Sequence, residues 1–473
     1  MLSLPARPPG MTITHWLYQE LRQAILDGRL RRGASLPTTR ALASEHGISR
    51  RIVVEAFDRL RDEGYLQAQV GVGTRVNDNL PEDYLARTSA VPLKRLRKAV
   101  MDNQPPLTLH GWPIRPFRAF EPALSEFPME IWARLTARCM RQTSRAILAG
   151  GDPAGAHALR DAIAEYLGTS RGVSCTADDI IVTSGSQQGL DLLARVLLRA
   201  DDAVWVEDPA YIDAVEIFRL TGAKIVPVPV DAHGLDPQIG RARCPRPKAI
   251  YLTPAHQFPL GVSLGLDRRL DLLQWTRRER IAVIEDDYDS EFRYSGKPIP
   301  ALKALAGAEH IFLVGTFSKC LFPSLRLGYI VVPDAWRDPV LRVRRLVERY
   351  PTGLPQLVLA SFITDGHFGR HLRRMRELYA ARLEFLRSEV SSRLAGMLEI
   401  ADVEAGLNTP AYLLSAMTSQ QAAERARHRN LEVWPLDRYA LARKDIRGLL
   451  LGFAALNRRQ IRKGVVELAR ALE

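Results

Sequence analysis

The sequence predicts a multidomain chain, a small unit of three helices and a hairpin followed by a large α/β unit on a mostly parallel sheet. Three observations predict it. The 473 residues leave room for two to four domains of about 100–200 residues each. Apolar residues recur first at helical spacing and later as six short runs of buried-strand type, separated by amphipathic stretches. Between these regimes, residues 77 to about 115 hold five prolines and a cluster of Lys94, Arg95, Arg97 and Lys98, the composition of a semi-rigid basic linker.

In the first unit, Trp16, Leu17, Leu21, Ile25 and Leu26 mark a helical face that stops at Asp27-Gly28. Thr38 opens a second short helix that runs through Leu42 to His46 and closes at Gly47. Ser49 caps a third, whose apolar set is Ile52, Val53, Phe57 and Leu60. Residues 65–69 and 74–76 then flank Gly71-Val72-Gly73 as a hairpin with a glycine-rich tip. Two helices joined by a tight turn and followed by a two-stranded wing make a winged helix-turn-helix. The third helix is the reader: Ser49, Arg50 and Arg51 stand at its amino end, Thr38, Thr39 and Arg40 open the supporting helix, and Gly71 and Gly73 form the wing tip. All eight are candidate DNA contacts.

Composition agrees. With 46% hydrophobic and 25% charged residues the chain is neither disordered nor fibrous, and 66 Lys+Arg against 53 Asp+Glu give +13, a surface that attracts polyanions. The four cysteines are scattered without zinc spacing, and no apolar run suits a signal peptide or a membrane span. A cytoplasmic location is expected, with no metal and no membrane partner.

In the second unit the strand-type runs are 180–183, 203–206, 224–228, 249–252, 281–284 and 311–314. Ligands of such sheets sit beyond the carboxyl ends of the strands. The run 281–284 leads into Glu285-Asp286-Asp287-Tyr288-Asp289, and 311–314 into Gly315-Thr316-Phe317-Ser318-Lys319. Lys319 is one of only nine lysines beside 57 arginines, and arginine cannot become a neutral nucleophile. A lysine amine and a carboxylate at neighbouring strand ends are what pyridoxal phosphate requires, the amine for its carbonyl carbon and Asp286 for its ring nitrogen. Tyr288 is placed to donate to the ring oxygen if the strand persists. Ser184 to Gly189 form a glycine-containing turn into a helix, so Gly185, Ser186 and Gln187 offer N–H groups to a phosphate, with Thr316, Ser318 and Arg326 to complete the cradle. Tyr211 can stack on the ring. The tail from about Gly353 suggests a smaller lobe.

The run Leu17 to Leu30, with Gly33, Leu36-Pro37, Arg40 to Ala43, Gly47 to Arg50 and Leu60 through Leu66, closely resembles the GntR family of DNA-binding domains. The segments Gly151 to Gly155, Thr183 to Gly189, Glu207 to Tyr211, Leu252 to Pro259, Ile284 to Tyr294 and Thr316 to Gly328 resemble fold type I aminotransferases. Together the chain resembles the MocR subfamily of GntR regulators over about residues 11–470. The resemblance implies a reader at 11–78, a linker at 79–115 and an aminotransferase-like effector domain at 116–473. It further implies a head-to-tail, domain-swapped homodimer on operator DNA, pyridoxal phosphate held as an internal aldimine with Lys319, and an amine or the cofactor itself as effector. The alternative is an aminotransferase with an appended DNA-binding module.

One departure matters. The arginine that clamps a substrate carboxylate in aminotransferases stands just ahead of Leu-Gly-Phe, and here Leu450 precedes Leu451-Gly452-Phe453. Arg447, three residues earlier, is expected on the opposite face. His367 and His371 read as surface residues and Cys320 as a small filler. His256 and Gln257 read equally as contacts to the ring oxygen or as a structural turn.

Overall fold

The computed structural model describes residues 5–69, 73–81, 114–143, 145–294, 299–305 and 307–473. Contacts divide the chain into two compact units, Met1–His110 and Gly111–Glu473. Gly71 and the linker cations Lys94, Arg95, Arg97 and Lys98 lie outside the described residues.

In the first unit, α1 spans Ile13–Leu26, α2 Thr39–Glu45 and α3 Arg50–Asp62. Each begins on a hydroxyl: Thr12 accepts from His15 N, Thr38 from Ala41 N and Ser49 from Ile52 N. Strands β1 (Leu66–Gln69) and β2 (Gly73–Val76) pair antiparallel with Leu66 opposite Val76. Leu17, Leu21, Leu42, Val53, Phe57, Leu60 and Val76 close one core that draws only on residues of this unit. The ring of Tyr18 lies under the Arg59 guanidinium at 3.9 Å and its hydroxyl donates to Glu63 at 2.6 Å, which ties α1 to the end of α3.

The second unit is built on an eight-stranded sheet of order β3-β10-β9-β8-β7-β4-β5-β6. The strands are β3 (Ile180–Thr183), β4 (Ala203–Asp208), β5 (Lys224–Asp231), β6 (Gly234–Leu235), β7 (Ala249–Leu252), β8 (Ala282–Asp287), β9 (Ile311–Thr316) and β10 (Gly328–Val331). The block β9-β8-β7-β4-β5 is parallel, as expected, and β10 runs antiparallel to both β3 and β9. A second sheet, β11-β12-β14-β13 (Leu398–Ile400, Asn408–Leu413, Gly448–Gly452 and Trp434–Pro435), belongs with the long helix His367–Arg393 to the tail. No helix among the described residues is long and apolar enough to cross a membrane.

Three expectations are corrected. Strands β8 and β9 do not stop at Ile284 and Val314: Asp286 pairs with Val314 and Asp287 with Gly315, so the acids and Thr316 belong to the strands themselves. An apolar run ends at its first charge, whereas a strand ends where its backbone loses its partner. β8 in turn stops before Tyr288, which reaches its place from the bend beyond the strand. His371 is buried rather than superficial, its Nε2 at 3.0 Å from the Cys320 carbonyl oxygen, while His367 stays near the helix start beside Arg370. Arginines outnumber apolar residues around His371 in sequence and disguised that buried face.

The separate core of the first unit has a measurable consequence. Leu60 is fully buried, and replacing it by alanine should cost that unit about 2–5 kcal/mol. Scanning calorimetry of Leu60→Ala should show one transition lowered while the larger unit's transition stays in place; a joint shift of both would contradict separate cores.

Candidate functional site

In the first unit, the side chains of Arg40, Arg50 and Arg51 are exposed, as are Thr38, Ser49 and Gly73. The hydroxyls of Thr38 and Ser49 cap their helices, and Arg50 Nε donates to Thr39 Oγ1 at 3.4 Å. The two helix amino ends and their arginines thus stand together, donors turned outward where no acid is paired with them among the described residues.

In the second unit, one cavity of about 130 Å³ collects all ten residues expected around the cofactor: Gly185, Ser186, Gln187, Tyr211, Asp286, Tyr288, Thr316, Ser318, Lys319 and Arg326. The chain separates Asp286 from Lys319 by 33 positions, and parallel neighbours β8 and β9 bring them to the same sheet edge. Four more residues line the wall that sequence reasoning missed: Phe120, Tyr251, Thr253 and Phe258.

Asp286 is buried and its Oδ2 accepts from the Tyr251 hydroxyl at 2.7 Å, but its Oδ1 finds no hydrogen-bond partner. Burial pushes its carboxyl up to about 7, the charges of Asp287 and Asp289 add to the rise, and the Tyr251 hydrogen bond opposes it. An orphaned buried carboxylate oxygen on a cavity wall asks for a donor from inside the cavity, and a protonated ring nitrogen supplies one. Tyr251 went unnoticed because it sits in the apolar strand Ala249–Leu252; its lone hydroxyl was the available signal.

On the same cavity wall the helix Ser186–Leu197 begins after Gly185, whose φ of 91° favours glycine and whose place at the cap leaves the first N–H groups without a side-chain acceptor. The Arg326 guanidinium lies 3.6 Å from where a Cβ on Gly185 would stand, so helix end and cation address one small volume. Gln187 donates to the Tyr211 hydroxyl at 2.8 Å and holds that ring. Ser184 and Gln188 both bind Glu348, which fixes the turn from behind.

Lys319 Nζ donates to the Phe120 carbonyl at 3.4 Å and lies 4.6 Å from the centre of the Phe120 ring. Burial holds its amine well below the ordinary lysine range, at about 8, although Glu121 and Asp289 favour the charged form. Tyr288 shares His256 Nδ1 with Asp289, at 3.0 and 2.8 Å, so His256 positions Tyr288 and does not line the cavity. Gln257 Nε2 donates to Pro209 and Phe258 carbonyls, the structural-turn reading. Cys320 is buried beside the His371 contact. Leu450 is buried in an apolar cluster with Ala119, Phe258, Leu436 and Tyr439, and Arg447 lies apart, beside Arg443 and Asp445.

Comparison with known proteins bears on both units. Residues 14–76 match the family model of bacterial regulatory proteins of the gntR family, and residues 123–422 that of aminotransferase class I and II. The chain is 37% identical over 462 residues to the probable rhizopine catabolism regulatory protein MocR of Rhizobium meliloti, covering 96% of this chain and 92% of that one. It is 31% identical to the HTH-type pyridoxine biosynthesis transcriptional regulator PdxR of Corynebacterium glutamicum, with 96% and 95% covered. Among solved structures it is similar to LysN, the α-aminoadipate aminotransferase of Thermus thermophilus complexed with N-(5'-phosphopyridoxyl)-L-leucine. That match has TM-score 0.70 and 27% identity, and covers 76% of this chain and 92% of the other. A reader of one family and a body of the other, matched along nearly the whole length of such regulators, place the chain in the MocR subfamily of the GntR family.

Proposed function

We propose that this chain is a pyridoxal-phosphate-dependent transcriptional regulator that reads operator DNA through α3 and the wing and senses the cofactor or an amine in the cavity of its larger unit. The observation that carries the reading is the orphaned oxygen of Asp286 in the same cavity as the amine of Lys319. In this reading Lys319 holds the cofactor covalently and Asp286, steadied by Tyr251, takes the ring nitrogen. Tyr288 donates to the ring oxygen, Tyr211 covers a ring face, and Gly185, Ser186, Gln187, Thr316, Ser318 and Arg326 receive the phosphate. When bound, the cofactor supplies an electrophilic carbonyl carbon and an electron-withdrawing ring. Arg40, Arg50 and Arg51 contact DNA, with Thr38, Thr39, Ser49, Gly71 and Gly73 alongside.

The working form is a cytoplasmic homodimer, because a winged reader of this kind addresses two half-sites, and the resemblance to MocR regulators implies that the dimer is head-to-tail and domain-swapped. The functional parts are a reader at 11–78, a linker at 79–115 and an effector domain at 116–473. An aminotransferase with an appended reader is the weaker alternative: Leu450 stands where the clamping arginine would be, and an α-amino acid without that bidentate contact is neither held nor oriented for reaction.

Two measurements test this. Arg50→Ala should lose about 1–3 kcal/mol of operator binding at fixed salt while the visible absorbance of the bound cofactor is unchanged; unaltered operator affinity would remove α3 as the reader. Lys319→Ala should abolish the borohydride-trapped adduct. In the cofactor-free protein, burial makes the neutral Lys319 amine predominate above about pH 8, so the rate of cofactor capture should rise with pH and level off near there. A rise continuing to the ordinary lysine value of 10.5 would contradict a desolvated nucleophile.

A further inference from the structure

Phe120 is the least expected member of the cavity wall. Its φ of 66° is a left-handed conformation that non-glycine residues seldom adopt. It is fixed there from both sides. Its N–H donates to Asn408 Oδ1 at 2.6 Å, and just upstream Phe117 bridges to Gly452, whose N–H donates to the Phe117 carbonyl at 2.9 Å. A side chain at Gly452 would meet the Arg118 carbonyl at 1.9 Å, so the strap 117–121 lies directly on the end of β14. Arg118 Nε donates to Glu432 at 2.8 Å and pins the strap again.

This backbone places the ring at the Lys319 end of the cavity, 5.0 Å from Phe258 and 5.9 Å from Trp434, with Leu450 in the same apolar cluster behind. Among the described residues the cavity wall carries two cations, Lys319 and Arg326. Arg326 belongs to the Gly185 cradle and Lys319 to the cofactor, so among the described residues of the cavity wall no further cation remains for a ligand carboxylate. The face of an aromatic ring is electron-rich; it attracts an ammonium group, as the 4.6 Å contact with Lys319 displays, and disfavours a carboxylate. A carboxylate buried there without a partner also loses its hydration.

We infer that Phe120 is the specificity-determining residue of this cavity and that the amine it admits is a primary amine with an uncharged, apolar body, not an α-amino acid. The inference rests on the proposed reading that Lys319 holds the cofactor.

The test uses the full-length, cofactor-loaded protein and a matched pair of ligands that differ only by a carboxylate, 2-phenylethylamine and L-phenylalanine. Each is titrated against the visible absorbance of the protein and against the heat of binding. The wild type should be half-saturated by the amine at a concentration at least tenfold lower than by the amino acid. Phe120→Gly suits a φ of 66°, so the fold is kept, and with the ring gone the preference should fall to threefold or less. Equal or tighter binding of L-phenylalanine by the wild type overturns the inference, as does an undiminished preference in Phe120→Gly or a failure of both ligands to bind. Absence of a borohydride-trapped adduct at Lys319 defeats the cofactor reading itself; its presence with the wrong preference defeats only the role of Phe120.

Discussion

The site of the larger unit depends on one constraint, the in-register parallel pairing of β8 with β9. Because Asp286 lies opposite Val314 and Asp287 opposite Gly315, the two strands end within one residue of each other, and the segments that leave them start from the same sheet edge. A slip of one residue would turn Asp286 to the other face of the sheet and away from Lys319. The burial of both strands enforces the register, since Val283, Ile284, Phe312, Leu313 and Val314 are all fully buried. β10 seals the other side of β9, and Gly328 beside Thr316 and Thr183 lets three chains converge under the Gly185 turn.

The same sheet edge concentrates four acids, and each is stabilised differently. Glu285 accepts from the Leu302 and Lys303 N–H groups at 2.7 and 2.8 Å. Asp287 takes the Arg171 guanidinium at 2.8 Å, and Asp289 takes His256 at 2.8 Å. Asp286 alone of the four lines the cavity, and its hydrogen-bond partner among the described residues is a phenol. Glu285 has both oxygens answered by backbone N–H groups, while Asp287 and Asp289 each hold one side-chain partner and keep one buried oxygen without any, away from the cavity wall. Asp286 is the one whose unanswered oxygen belongs to a residue of the cavity wall, within reach of something that enters.

Much of this was legible in the sequence because it rests on local signals. Hydroxyl caps at Thr38 and Ser49 and glycines after helices specify the reader unit with little help from tertiary structure. Asp286 near the end of β8, and Tyr288 and Ser318-Lys319 just beyond the ends of β8 and β9, were legible because chemistry-bearing residues interrupted apolar runs. The residues that stayed hidden depend on long-range packing. Tyr251 reads as one more core residue until the neighbouring strand sets Asp286 beside it. Phe120 comes after a proline-containing linker and sits more than sixty positions before the next residue of the cavity, with no periodicity to mark it. The burial of His371 is set by the turn after β9 and cannot be inferred from its arginine-rich helix.

The strap also fixes where this protein tolerates a seam. Residues 117–121 are at once the first part of the larger unit that the structure describes in contact with its sheet and part of the cavity wall, clipped to β14 through Gly452 and to Glu432 through Arg118. The covalent lead-in and the ligand chamber therefore share the same few residues. A chimaera that grafts a foreign reader onto this sensor has to keep its junction upstream of Pro116, whose carbonyl accepts from Glu432 N, or it rebuilds the chamber along with the joint.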